Sequence, residues 1–252
     1  MWGGFIVGAI RVAVAGGTGQ TGKEVVRYLS SVENIQLVGV VARTLAGKSM
    51  SVVLPELRHE VRIFPDLDEL CAQSRPHILV DFTPYEAARR HFYKCLALRI
   101  NPVIGSTGFS DADAADFARA CSEAALGGAL ISNFSFGSLV VKQAAKLLAA
   151  VLPDTTIVET YPPSKPRRPS GTSVQLARSL HHLLPAAQNI PIHTIRVTGA
   201  VPHQEIRFGG LGETVTIAHE VTDRICFGPG VALAVKNIAR FKSLVTELEN
   251  LI

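Results

Sequence analysis

Gly16, Gly19 and Gly22 recur at every third residue, and Gly17 adds an overlapping Gly-x-Gly-x-x-Gly pattern with Gly19 and Gly22. Thr18, Gln20 and Thr21 fill the gaps, and the run leads from an apolar, β-branched stretch into a helical one. A side chain at such a junction would block both a tight turn and the close approach of a ligand to the backbone. The start of the helix offers unpaired N–H groups and the positive end of its dipole, which together suit a diphosphate. The competing reading is a turn that packing alone requires. The next strand ends in Val41-Ala42-Arg43. An acid there would bond a ribose 2′-hydroxyl and repel a 2′-phosphate, whereas an arginine favours the phosphate. The pattern points to NADPH, with NADH as the alternative, unless Arg43 simply faces solvent.

A second chemical run lies downstream, from Glu159 to Thr172: Glu-Thr-Tyr-Pro-Pro-Ser-Lys-Pro-Arg-Arg-Pro-Ser-Gly-Thr. Ser170, Gly171 and Thr172 bring two hydroxyls and free backbone N–H groups to the start of a helix, which makes a cradle for a carboxylate. The hydroxyls also serve as helix caps, and the two roles are compatible. Lys165 carries a cation on a long stem that can pair with the same anion. Tyr161 is the candidate proton donor, with Lys165 or water as alternatives. A free phenol ionises near pH ~10 and is a weak acid at neutral pH, so this assignment leans on the cations Lys165, Arg167 and Arg168.

The elements that must position these groups follow from hydrophobic period. Strands are expected at Arg11–Ala15, Gln36–Ala42, His77–Phe82, Asn101–Ile104 and Ala129–Ser132. They alternate with helices at Thr21–Ser30, Pro84–Leu98 and Asp111–Leu126, the last capped by Ser110. Alternation of this kind calls for a parallel sheet covered by helices. After Asn133 the pattern changes. A helix at Ser138–Leu152 and a strand at Thr156–Glu159 precede the proline-rich loop Tyr161–Pro169 and a helix from Thr172. Strands are expected at His193–Thr198, Gln204–Phe208, Thr214–Val221 and near Arg224, and a final helix at Val231–Leu251. The fold class is therefore α/β, a Rossmann-type parallel-sheet domain plus a C-terminal α+β domain with a mixed sheet. The first domain spans 1–133 and is completed by the C-terminal helix 229–252; the second, for substrate binding and oligomerisation, spans 134–228.

Composition narrows the classes. Hydrophobic residues make up 47% and charged residues 18% of the 252, which is a folded chain. The net charge of +4 suits anionic small molecules, and 6% aromatics without basic interleaving argue against nucleic acid as a partner. Cys71, Cys95, Cys121 and Cys226 form no CxxC pair, so no metal site and no redox dithiol are expected. Reduced thiols of this kind suit the cytoplasm. Met1–Ile10 is apolar but lacks a basic leader, and reads as a strand extension or loose tail; no run is long enough to span a membrane.

Several stations in order resemble the dihydrodipicolinate reductases: the Gly16–Gly22 loop, Val80-Asp81-Phe82-Thr83-Pro84, Gly105-Ser106-Thr107-Gly108-Phe109, Ser132-Asn133-Phe134-Ser135-Phe136-Gly137, and Lys165 with Ser170-Gly171-Thr172. The resemblance implies that Phe82, Thr83, Gly105, Ser106, Thr107, Ser132, Asn133 and Phe134 line the nicotinamide. It implies that Lys165, Ser170, Gly171 and Thr172 hold the carboxylates of a small anionic cyclic substrate. It also implies reduction of a cyclic imine or conjugated enamine in the lysine and diaminopimelate pathway, and a homotetramer. The chain departs from the family at E-x-H-H-x-x-K-x-D-x-x-S-G-T, where Tyr161-Pro162 replaces the histidine pair and Arg167 the aspartate. The first histidine is the family's general acid. A different cyclic imine in specialised metabolism, a non-imine substrate, and a non-catalytic NADPH-binding homologue therefore stay open. His181-His182 does not restore the pair, because neighbours on a helix point apart, and reads as solvent-facing.

Overall fold

A computed structural model describes residues 8–181, 183–184 and 189–252. Most of Met1–Ile10 and the whole of His182 thus fall outside the described residues. In chain order the elements are β1 (Ile10–Ala15), α1 (Gln20–Leu29), β2 (Ile35–Val41), β3 (Ile63–Phe64), α2 (Leu67–Gln73), β4 (Ile78–Asp81) and α3 (Tyr85–Ala97). There follow β5 (Asn101–Ile104), α4 (Asp111–Ala124), β6 (Gly128–Leu130), α5 (Phe136–Ala149), β7 (Asp154–Tyr161) and α6 (Gly171–His181). The chain closes with β8 (Ile192–Arg196), β9 (His203–Gly210), β10 (Glu213–Glu220), α7 (Gly228–Asn237) and β11 (Leu244–Val245). Two compact units result, 1–134 with 224–252, and 135–223.

The first unit is a seven-stranded parallel sheet in the order β11-β6-β5-β4-β1-β2-β3. Its central strands are apolar on both faces because helices cover both: Val12 to Ala15 and Ile78 to Val80 are all at most 2% exposed. The order reverses between β1 and β4, where the chain leaves the sheet in opposite directions. In open sheets of this kind ligands bind outside the carboxyl ends at that reversal. Ser110 and Asp113 close a reciprocal capping box on α4.

Two elements of this unit were not foreseen. β3 is too short to show a period, and α2 announces itself only through Asp66, whose carboxylate accepts the Glu69 N–H at 2.9 Å. Two expectations are corrected. The segment Val231–Leu251 is not one helix: α7 ends at Asn237, a 3-10 turn covers Ile238–Arg240, and Leu244–Val245 adds β11 beside β6. Its apolar content suggested a helix, but at Leu244–Val245 the backbone pairs with the β6 edge, which would otherwise be left open. Gly127 allows the crossing, since a Cβ there would lie 2.1 Å from the Ile238 carbonyl oxygen. The piece near Arg224 is a 3-10 turn, Arg224–Phe227, rather than a strand.

The second unit is a four-stranded sheet ordered β10-β9-β7-β8, with β7 and β8 parallel and the other pairs antiparallel. Alternation places Ile157, Ile206 and Phe208 in a buried cluster with Val141 and Ala145 of α5 and Leu176 and Leu180 of α6. The same alternation turns Glu159 inward, where it is 0% exposed, and so obliges the unit to supply partners for a buried carboxylate.

Candidate active site

In the first unit every loop that the sequence marked for the cofactor leaves the carboxyl end of a strand. Gly16 sits at φ +76°, and a Cβ there would touch the Phe82 backbone at 3.0 Å. At Gly22 a Cβ would fall 2.1 Å from the Gly16 carbonyl oxygen, and at Gly17 2.8 Å from Val40. The glycines thus bring loop and helix into backbone contact, closed by the Gly19 N–H on the Gly16 carbonyl at 2.9 Å. The N–H groups of Gln20, Thr21 and Gly22 have no partner among the described residues. No acid stands in the first turn of α1 to neutralise them. Arg224 instead donates to the Thr21 hydroxyl at 3.1 Å and adds a cation there. Glycine cradle, bare amides and cation fit a dinucleotide diphosphate. Arg43 is exposed at the end of β2 without a partner among the described residues.

The loop after β4 is tied down by a buried acid. Asp81, 0% exposed, accepts the Thr83 N–H at 2.7 Å and its hydroxyl at 2.6 Å, and meets His91 Nδ1 at 2.7 Å. Ser106 donates to the Thr83 carbonyl and so joins the loop after β5 to the loop after β4. Gly105 is glycine because a Cβ would enter the Phe82 ring at 2.3 Å. Phe82 meets Phe134 edge to face, their centroids 6.2 Å apart, and Phe134 is 1% exposed. Thr107 is exposed, and Ser132 and Asn133 are partly buried.

In the second unit Tyr161 ends β7, and its hydroxyl has no partner among the described residues. Two cations lie over its ring, Lys165 Nζ at 5.4 Å and the Arg196 guanidinium at 5.2 Å from the centroid. Lys165, Arg167 and Arg168 are exposed and meet no acid among the described residues. Ser170 is 1% exposed; its hydroxyl accepts the Ser173 N–H at 3.2 Å as the cap of α6, and its own N–H is taken by the Glu159 carboxylate at 3.0 Å. The N–H groups of Gly171 and Thr172 and the Thr172 hydroxyl are left without a partner among the described residues. A Cβ on Gly171 would meet nothing within 4 Å, so packing does not demand the glycine. His181 is exposed ten residues along α6, about 15 Å from that mouth.

Sequence reasoning did not find the groups behind this mouth. Glu159 also accepts from the Ser173 hydroxyl at 2.7 Å and from Arg196 at 3.0 Å, and Gln204 donates to Ser173 at 2.8 Å. Burial pushes the Glu159 carboxyl up, but the hydrogen bonds from Ser170, Ser173 and Arg196 outweigh it and hold the group below the usual carboxylate value. A group depressed on folding contributes stability above its unfolded value of 4.5 and loses it as pH falls through the folded value. The melting temperature should therefore drop as the medium is acidified below pH 4.5, and Glu159→Gln should flatten part of that drop in circular-dichroism melts. An equally steep decline in the variant would remove Glu159 as a cause.

The parallel sheet with its glycine loop at the carboxyl ends of the strands has the architecture of a dinucleotide-binding fold. The family model for the N-terminus of dihydrodipicolinate reductase matches residues 10–134, and that for its C-terminus residues 137–252. The chain therefore belongs to the dihydrodipicolinate reductase family, whose members are NAD(P)H-dependent oxidoreductases. The 4-hydroxy-tetrahydrodipicolinate reductase of Symbiobacterium thermophilum is 35% identical over 246 residues, covering 95% of this chain and 96% of the relative. That of Geobacillus kaustophilus is 30% identical over 262 residues, covering 96% and 99%. A dipicolinate-bound dihydrodipicolinate reductase from Paenisporosarcina sp. TG-14 superposes with a TM-score of 0.82 at 30% identity, covering 97% of this chain and all of that one. An amine dehydrogenase from Mycobacterium smegmatis, at 14% identity, 94% coverage of each chain and a TM-score of 0.69, shares the fold.

Proposed function

We propose that the protein uses NADPH to reduce a carboxylated cyclic imine or conjugated enamine of the kind derived from hydroxy-tetrahydrodipicolinate. The observation that carries the reading is the set of unpartnered donors at the mouth of α6, beside an exposed cation loop, in a chain whose relatives bear that reductase's name. When bound, the dihydronicotinamide supplies the hydride. The N–H groups of Gln20, Thr21 and Gly22 with Arg224 hold its diphosphate, and Phe82, Thr83, Gly105, Ser106, Thr107, Ser132, Asn133 and Phe134 shape the nicotinamide pocket. Gly171 and Thr172 receive a substrate carboxylate on their N–H groups, and Lys165 neutralises the anion. Ser170 contributes as the cap that orients those amides. Tyr161 Oη delivers the proton. The test is NADPH oxidation by the purified protein with hydroxy-tetrahydrodipicolinate; the absence of turnover, with pyridine-2,6-dicarboxylate failing to bind, rejects the substrate.

Tyr161-Pro162 in place of the histidine pair favours a second reading, a related cyclic imine of specialised metabolism, which turnover on that imine alone would select. The preference for NADPH rests on Arg43. Arg43→Ala should raise KM for NADPH roughly tenfold, the worth of one charge-assisted hydrogen bond, and leave KM for NADH unchanged. An unchanged KM for both cofactors would assign Arg43 to solvent.

A homotetramer fits the outer face of the second sheet, which its own helices leave open. Ile195 and Val197 are 48% and 51% exposed there. Light scattering reads the mass directly. No helix among the described residues is long and apolar enough to cross a membrane. A cytoplasmic location belongs to this reading, since reduced thiols and reduced nicotinamide are kept there.

A further inference from the structure

The proposed reaction needs the Tyr161–Pro169 loop and the mouth of α6 held in one register, and one side chain reaches both. Arg196 ends β8 with its side chain only 4% exposed. Its Nη2 donates to Glu159 Oε1 at 3.0 Å and to the Arg167 carbonyl at 2.9 Å. Its Nε reaches the Lys165 carbonyl at 3.4 Å and its Nη1 the Ile195 carbonyl at 3.0 Å. The guanidinium carbon of the same residue lies over the Tyr161 ring, 5.2 Å from its centroid. Glu159, on the other side of the ion pair, accepts the Ser170 N–H and the Ser173 hydroxyl.

Stability alone does not account for such a pair. Withdrawing two charges from water costs about as much as their attraction returns, and an apolar pair of equal volume often serves as well. An apolar pair cannot present five donors in a fixed fork. We infer that Arg196, braced by Glu159, is the positioning residue of the substrate-binding groups. One part of its fork sets the loop that carries Tyr161 and Lys165; through Glu159 it sets the first turn of α6, where Gly171 and Thr172 lie. The kinetic consequence rests on the reaction proposed above, whereas the structural consequence rests on the hydrogen bonds alone.

The full chain supplies two readouts. Proline follows Lys165 and Arg168, so Arg167–Arg168 is the bond in this loop that trypsin cuts. The variant E159Q/R196M leaves no orphaned charge. With its circular-dichroism spectrum unchanged, it should be nicked at that bond roughly tenfold faster than the parent, because the Arg167 carbonyl is released. Its kcat/KM for the imine should fall on the order of 10²-fold through misplacement of the loop. KM for NADPH should stay the same. Arg196→Lys keeps the charge but not the fork and should fall between the two on both measures. Should the double variant not fold, Arg196→Lys carries the comparison. Nicking at the parental rate, or kcat/KM within about twofold of the parent, overturns the positioning role. A parent without any turnover, combined with nicking rates that still separate, sinks the reaction and keeps the clamp.

Discussion

Tyr161→Phe should lower kcat for imine-dependent NADPH oxidation on the order of 10²-fold or more, the usual share of a positioned general acid. The substitution removes one oxygen and leaves the ring, which keeps its contacts with Lys165 and Arg196. Loop geometry, cofactor affinity and melting temperature should therefore be unchanged, and the loss should fall on kcat with little change in KM. A pre-steady-state trace would show NADPH bound normally and oxidised slowly. A rate equal to the parent's would assign the proton to Lys165 or to water. Lys165→Met would separate those two, because removing the ammonium weakens dicarboxylate binding in either case but stops proton delivery only in the first.

The second large effect concerns the cofactor. Gly22→Ala would place a methyl group 2.1 Å from the Gly16 carbonyl oxygen, a backbone atom that has no rotamer with which to escape. The loop must open, and opening it moves the N–H groups of Gln20 and Thr21 that accept the diphosphate. Overpacking of this kind costs about 1–3 kcal/mol or more, so cofactor affinity should fall on the order of 10²-fold in calorimetry. The second unit is untouched by the change, and binding of pyridine-2,6-dicarboxylate in the absence of cofactor should persist. Parental affinity for NADPH in the variant would show that the Gly16–Gly22 turn serves packing and binds no dinucleotide.

These contrasts explain what the sequence could and could not reveal. The glycine loop was readable because the constraint lies in the absence of a side chain, and the residue type states it. The central strands were readable because burial on both faces leaves an unbroken apolar run. The Glu159–Arg196 pair was not readable, since its members are 37 residues apart and only the parallel pairing of β7 with β8 brings them together. Asp81 looked like part of a motif, but nothing in its neighbours announced His91, which reaches it from the next helix. The closing segment misled for the opposite reason. Val231, Val235 and Ile238 keep a helical rhythm, yet beyond them an unpaired β6 edge competes for the backbone and wins at Leu244–Val245.

That closing strand has a consequence for synthesis. The second unit is one continuous stretch, 135–223, whereas the first is finished only by 224–252. During translation the later unit emerges whole while the earlier one still lacks α7 and an edge strand, so the inserted portion can mature ahead of its host. Until Leu244–Val245 has been released, β6 presents bare amides and carbonyls to the cell. A stop codon ahead of Leu244 should convert an otherwise intact product into one that needs chaperones and accumulates in the insoluble fraction.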